Sequence, residues 1–120
     1  MQAVKWYRLA ADQGNADAQY ALATMYDTGD GLPKDVVQAV KWYRLAADQG
    51  NADAQLSLGV MYDTGKGVPR DHVQAHKLFS LAGASGSGHG LKLRDLVATK
   101  MTPAQIAEAQ RLAHEWKPKQ

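Results

Sequence analysis

Small and apolar side chains return every three or four residues along most of this chain: Ala18, Leu22, Met25 and Tyr26 in one stretch, Ala39, Trp42, Leu45 and Ala46 in the next. At 3.6 residues per turn that spacing gathers them on one side of an α-helix, so both stretches are expected to be helices with one face in a core. The polar punctuation agrees. Asn15 and Asn51 precede alanine-rich runs, where a short side-chain acceptor satisfies the free N–H groups of a first turn. A helix is therefore predicted from Asn15 to about residue 28, and another from Asn51 to about residue 64. Gly29 and Gly65 stand where a left-handed C-cap falls, Gly31 and Gly67 allow a second tight bend, and Pro33 and Pro69 block continuation. Asp35 and Asp71 then cap a second helix that ends near Gly50 or Gly86. The unit is a helix pair, A followed by B.

This unit repeats. Residues 2–37 laid over residues 38–73 need no gap and agree at 28 of 36 positions; the exceptions are 20/56, 21/57, 23/59, 24/60, 30/66, 32/68, 34/70 and 36/72. Gln74 opens a third, worn copy, QAHKLFSLAGASGSG, with Gln74, Ala75, Lys77, Leu81, Ala82 and Gly86 in register. A fixed period of this length signals a solenoid, because no unit buries its apolar face except by stacking on its neighbours. Alanines such as Ala10 and Ala46 let backbones approach, and Trp6, Trp42, Tyr26 and Tyr62 fill the space beside them.

Composition narrows the function classes. Fourteen Lys and Arg against 12 Asp and Glu leave a net charge of +2, without the basic excess of a nucleic-acid footprint. No nucleic acid partner is expected. There is no cysteine, which removes disulfides, thiolate zinc sites and Cys nucleophiles together. No apolar run approaches the ~20 residues of a membrane span, so no membrane insertion is expected. The opening MQAVKWYRLA lacks the n-region and h-region of a signal peptide. The compartment stays open between cytoplasm and, for a trimmed chain, periplasm.

Candidate chemistry is thin. DTGDG at 27–31 has carboxylates around a glycine as a calcium loop does, but its copy reads DTGKG, and a cap followed by a turn accounts for both. GASGSGHG at 83–90 is glycine-dense without a preceding strand or the Lys-Ser or Lys-Thr ending of a phosphate loop; a helix terminus and a new N-cap at Ser87 explain it. His72 and His76 are one helical turn apart, yet Asp71 does not complete a zinc set, and both read as solvated surface histidines. His114-Glu115 lacks the second histidine of H-E-x-x-H, and no serine sits in a nucleophile elbow. No catalytic residue, metal site or cofactor is assigned, and the chain is not expected to be an enzyme.

The string NADAQYALATMYDTGDGLPKDVVQAVKWYRLAADQG resembles the Sel-one-like repeat (SLR), a relative of the tetratricopeptide repeat. The resemblance rests on the A-x-A-Q-x-x-L-x-x-M-Y start, the G-x-G-x-P-x-D turn and the A-x-x-W-Y-x-x-A-A-x-Q-G end, and covers residues 2 to about 90. It implies an all-α fold: an α/α superhelix whose A helices line a concave face that binds a partner protein or peptide, the role of an adaptor, most often bacterial. One domain over 1–120 is expected, with 1–14 a half-repeat B helix, 15–50 and 51–86 full repeats, and 87–120 degenerate capping helices. MTPAQIAEAQRLAHEW looks like the closing helix of such arrays, with Thr102 as N-cap, Pro103 at N1, Gln105 completing a capping box, and Ile106, Ala109, Leu112 and Ala113 as its apolar stripe. Repeat three departs from the pattern: Leu78 replaces Trp, and Arg94 and Asp95 stand where Leu58 and Gly59 did.

The resemblance also implies where binding falls. The inward but unburied A-helix positions are Asp17, Tyr20, Thr24, Asp27 and Thr28, then Asp53, Leu56, Val60, Asp63 and Thr64. Two of the repeat mismatches, Tyr20/Leu56 and Thr24/Val60, lie among them, whereas Ala21/Ser57 and Ala23/Gly59 are small-for-small exchanges compatible with packing. The aspartates edge the groove while Lys5, Arg8, Lys41 and Arg44 belong to B helices on the outer side, so the expected partner is an extended or helical segment with basic residues near apolar anchors. The alternative is a structural or near-consensus array, engineered or truncated, with no partner of its own. The chain opens on a B helix with no A helix before it. That start fits a fragment or trimmed array, or a homodimer made through Trp6, Tyr7 and Ala10.

Overall fold

The computed structural model describes residues 2–119. Among them are seven helices and no strand: α1 (Gln2–Asp12), α2 (Ala16–Thr28), α3 (Val36–Asp48), α4 (Ala52–Thr64), α5 (His72–Ala84), α6 (Gly88–Ala98) and α7 (Pro103–Glu115). The caps fall where the polar punctuation places them. Asn15 and Asn51 accept from the backbone N–H groups of Ala18 and Ala54, at 2.9 and 2.8 Å. Asp35, Asp71 and Ser87 cap α3, α5 and α6 in the same way. Thr102 and Gln105 exchange both bonds of a capping box at the head of α7. Gly29 and Gly65 end the A helices at φ of 78° and 75°, a conformation that an L side chain resists.

The helices stack as α2 on α3 and α4 on α5 within a unit, while α1, α3 and α5 each pack on the A helix that follows. The result is an elongated solenoid of 48 × 26 × 21 Å. Leu22, Ala23, Trp42, Tyr43, Ala46, Leu58 and Met61 form its main core, and Ala75, Phe79 and Val97 continue it under α6. Leu45 is a correction to the expected B-helix stripe. It is 41% exposed, because the buried face of α3 runs through Ala39, Val40, Trp42, Tyr43, Ala46 and Ala47, leaving Leu45 on the far side.

Hydrogen bonds tie each unit to the next. The Gln19 amide donates to the carbonyl of Ala11 at 3.2 Å, and the Gln55 amide repeats this on Ala47. Gln49 then donates to the side-chain oxygen of Gln19 at 2.8 Å. One period on from Gln49 stands Ser85, too short to reach, and the side-chain oxygen of Gln55 is buried without a partner.

Helix α7 folds back onto the stack. Helix α7 occupies the B position of the third unit but packs on α5 rather than pairing with α6. The reason is the face α6 would offer: Arg94 and Asp95, ion-paired at 3.1 Å, replace the Leu58 and Gly59 that receive α5. Helices α5 and α6 touch closely, since a Cβ on Gly90 would lie 2.8 Å from the backbone of Gly83 and Phe79. After α7 the chain reaches α3, where the Lys119 N–H donates to the carbonyl of Asp48 at 2.7 Å, one of the carbonyls a helix end leaves unpaired.

Candidate functional site

Helices α2, α4 and α6 present one common face. All ten A-helix positions singled out in the sequence remain unburied: Asp17, Thr28, Asp53, Val60 and Thr64 are exposed, and Tyr20, Thr24, Asp27, Leu56 and Asp63 are half-buried. A cleft of about 290 Å³ opens on this face. It brings Asp27 of α2 together with Leu56, Val60 and Met61 of α4 and His89 and Leu93 of α6.

The α6 members were missed by a two-repeat reading. The 36-residue period carries Asp53, Leu56, Val60 and Thr64 onto His89, Lys92, Leu96 and Lys100, and the cleft includes that third helix. The face therefore grades along the stack. It is acidic and hydroxylic at Asp17, Tyr20 and Thr24, aliphatic at Leu56 and Val60, and basic with exposed Leu96 at the α6 end.

The separation of acidic groove from basic back does not hold in the folded chain. Lys66, one of the eight mismatches, reaches Asp27 at 2.6 Å, and Lys100 and His72 approach Asp63 at 3.5 and 3.6 Å. Asp17 accepts from the Asn51 side chain at 3.0 Å. Asp53 and Lys92 have no ionic partner among the described residues. On the outer side, Arg8 and Arg44 donate to the hydroxyls of Tyr26 and Tyr62 at 2.5 and 2.6 Å, binding a B helix to the following A helix.

Thr24 turns out to serve the interior as well as the groove. Its hydroxyl donates to the carbonyl of Tyr20 at 3.0 Å, so at 3.2 Å from the Tyr43 hydroxyl it acts as acceptor. Burial pushes the Tyr43 phenol above its ordinary value, which keeps it neutral and able to donate. One period on, Thr24 becomes Val60 and Tyr43 becomes Phe79: hydroxyl acceptor and hydroxyl donor disappear together. Ala23 becomes Gly59, where a Cβ would lie 2.6 Å from the Phe79 ring.

The reading of His76 as a solvated histidine is overturned: it is 3% exposed and its Nδ1 is buried without a partner. The period explains this, since His76 stands at the buried position of Val40. Desolvation holds its pKa below the usual histidine value, with Arg94 acting in the same direction and Asp95 against it. No group of three or more His, Cys, Asp or Glu able to hold a metal occurs among the described residues. No helix there is long and apolar enough to cross a membrane.

At the other end, α1 shows an open face. Trp6 is 69% and Tyr7 41% exposed, against 6% and 3% for Trp42 and Tyr43 at the same places in the same eleven-residue string. Ala10 is half-buried.

The model of the Sel1 repeat family matches residues 1–15, 16–51 and 52–87. No curated protein matches the chain. Among solved structures, the chain is similar to c5321, a protective antigen present in uropathogenic Escherichia coli strains and displaying an SLR fold. Identity is 38%, the TM-score is 0.90, and the match covers 94% of this chain and 24% of that one. It is also similar to a Sel1 repeat protein from Oxalobacter formigenes, at 28% identity and a TM-score of 0.69, over 92% of this chain and 52% of that one. The chain thus spans about a quarter of the first protein and about half of the second.

Proposed function

The chain belongs to the Sel1 repeat family, and on that premise we propose that it is a non-enzymatic scaffold that binds a segment of another protein along the face shared by α2, α4 and α6. Proteins of this family are in general protein-interaction scaffolds. The observation that carries the reading is the cleft where three successive A helices contribute Asp27, Leu56, Val60, His89 and Leu93 to one surface. Aliphatic floor and polar rim are the anatomy of an anchor pocket, in which a buried side chain supplies most of the affinity and the rim excludes water.

The gradient describes the ligand. Asp27 and Asp63 already hold lysines, so they contribute little attraction for a basic partner. Asp17 and Asp53 carry the remaining negative charge, and Lys92 the positive charge at the α6 end. The segment that fits is extended or helical, with an apolar anchor over Leu56 and Val60, basic residues toward Asp17 and Asp53, and an acidic residue toward Lys92.

The test is affinity capture from the source cell with the wild-type chain beside Tyr20→Ala/Leu56→Ala, circular dichroism confirming that both are folded. A protein held by the wild type and lost by the variant supports the groove. Equal recovery on both would place binding elsewhere. Recovery of nothing by the wild type returns the chain to the reading of an array with no partner of its own.

A further inference from the structure

We propose that α6 is a wall of the cleft that opens by local unfolding while α4, α5 and α7 keep their structure. What carries this is a comparison of three joints, each between a B helix and the A helix that follows it. The joints α1–α2 and α3–α4 are tied by the same polar bonds: Gln19 and Gln55 donate to the carbonyls of Ala11 and Ala47, and Arg8 and Arg44 to the hydroxyls of Tyr26 and Tyr62. The α3–α4 joint adds Gln49 on Gln19 and Asn51 on Asp17.

At the α5–α6 joint every one of these donors is replaced. One period on, Gln55 becomes Leu91, Arg44 and Tyr62 become Ser80 and Ala98, and Gln49 and Asn51 become Ser85 and Ser87. Ser87 serves as the N-cap acceptor for Gly90, and the side-chain oxygen of Gln55 stays buried without a partner. Shape alone holds α6. Gly83 and Gly90, where Ala47 and Ala54 stood, bring the helices so close that a Cβ on Gly90 would meet backbone. Dispersion of that kind fades within an ångström of separation, and no directional bond resists the first step.

The surroundings free this joint and clamp the one before it. Trp116 and Pro118 lie 3.6 and 3.9 Å from where a Cβ on Gly50 would stand, and the Lys119 N–H donates to Asp48, so the α3–α4 turn is covered. Gly86 has the same left-handed backbone, φ 100° against 97°, with nothing within 4 Å of that place. Helix α7 packs on α5 and does not hold α6. Beyond the end of α6, Lys100 meets Asp63 at 3.5 Å, an exposed pair of little strength. An 11-residue helix released from α5 is too short to persist in water, so separation and unfolding are one event.

Leu56 and Leu93 belong both to the cleft lining and to the cluster of Ala75, Phe79 and Val97 beneath α6. Opening therefore joins the cleft to that cluster and gives a larger apolar anchor a place on Phe79. This consequence rests on the face being a binding surface; the opening itself does not.

Hydrogen exchange of the free, unmodified chain is the test. Corrected for intrinsic rates, the amides of Leu93 to Ala98 should exchange at least ~100-fold faster than those of α4, with α5 and α7 protected as α4 is. Ser80→Arg with Ala98→Tyr rebuilds the bond that Arg44 makes to Tyr62 and should slow α6 by about tenfold while leaving α4 unchanged; Ser85→Gln, facing Gln55, should act in the same direction. Protection of α6 equal to that of α4, exchange of α7 together with α6, or rebuilt bonds that leave α6 unchanged would each overturn the proposal. These rates are read without a partner, so this inference and the proposed function fail separately.

Discussion

The two full helix pairs, α2–α3 and α4–α5, share an outline and differ inside. The first joins Ala23, Thr24 and Tyr43; the second joins Gly59, Val60 and Phe79. In the first, a tyrosine hydroxyl needs an acceptor and Thr24 provides it. In the second the hydroxyl is gone, an aliphatic residue takes the acceptor's place, and the missing Cβ of Gly59 lets the phenyl ring enter. Sequence drift at Thr24/Val60, on the face proposed to bind a partner, thus follows the packing behind it. A mismatch between repeats marks recognition only when no interior neighbour has changed with it; Tyr20/Leu56 is accordingly a better recognition candidate than Thr24/Val60.

The largest test asks whether the pair is the energetic unit. Trp42→Ala is expected to cost roughly 3–5 kcal/mol in urea unfolding, while Trp6→Ala, the same letter on the open face, stays within about 0.5 kcal/mol in dilute protein. Equal costs at the two sites would remove the distinction between covered and uncovered copies.

Next comes the hydroxyl. Phe79→Tyr places a phenol in the second unit, where the Thr24 acceptor has become Val60, and should cost about 1–3 kcal/mol; adding Val60→Thr should return a sizeable part, a coupling read from a double-mutant cycle. Additive costs would show that the two positions diverged independently.

The glycine exchange should be smaller. Gly59→Ala gains about 1 kcal/mol of helix propensity and still loses about 1–2 kcal/mol net, because the Phe79 ring is fully buried and has no room to withdraw. With Phe79→Leu in the background the same change should be neutral or favourable.

The smallest effect separates Val40 from His76, the same place in the two units. His76 titrates below the ordinary histidine value when folded, so the unfolded chain takes the proton first. Stability should therefore be flat above the ordinary value and fall as pH drops below about 6.5, levelling off under the lowered folded value. His76→Val should abolish that acid limb and add about 1 kcal/mol by removing an unpaired buried nitrogen. A limb that survives the substitution belongs to another group.

Much of this molecule is legible before folding because its signals are local. Asn15, Asp35, Gly29 and Thr102 act on backbone groups within a few residues, and each cap forms as its sequence spacing requires. Leu45 and His76 escaped because periodicity names a stripe without saying which neighbour covers it. The third helix of the groove was readable by carrying the period onto His89, Lys92 and Leu96, a step hidden by the charges at Arg94 and Asp95.

By itself, then, the sequence determined helices, caps, turns and the period, since these depend on dihedral preferences and contacts within one unit. Only the tertiary structure decided that Lys66 and Lys100 reach back to the aspartates of the preceding repeat, that α7 turns onto α5, and that Thr24 answers Tyr43. Those pairings span 19 to 39 positions for the side-chain contacts. Their partners are chosen by the geometry of stacking, which a one-dimensional pattern does not carry.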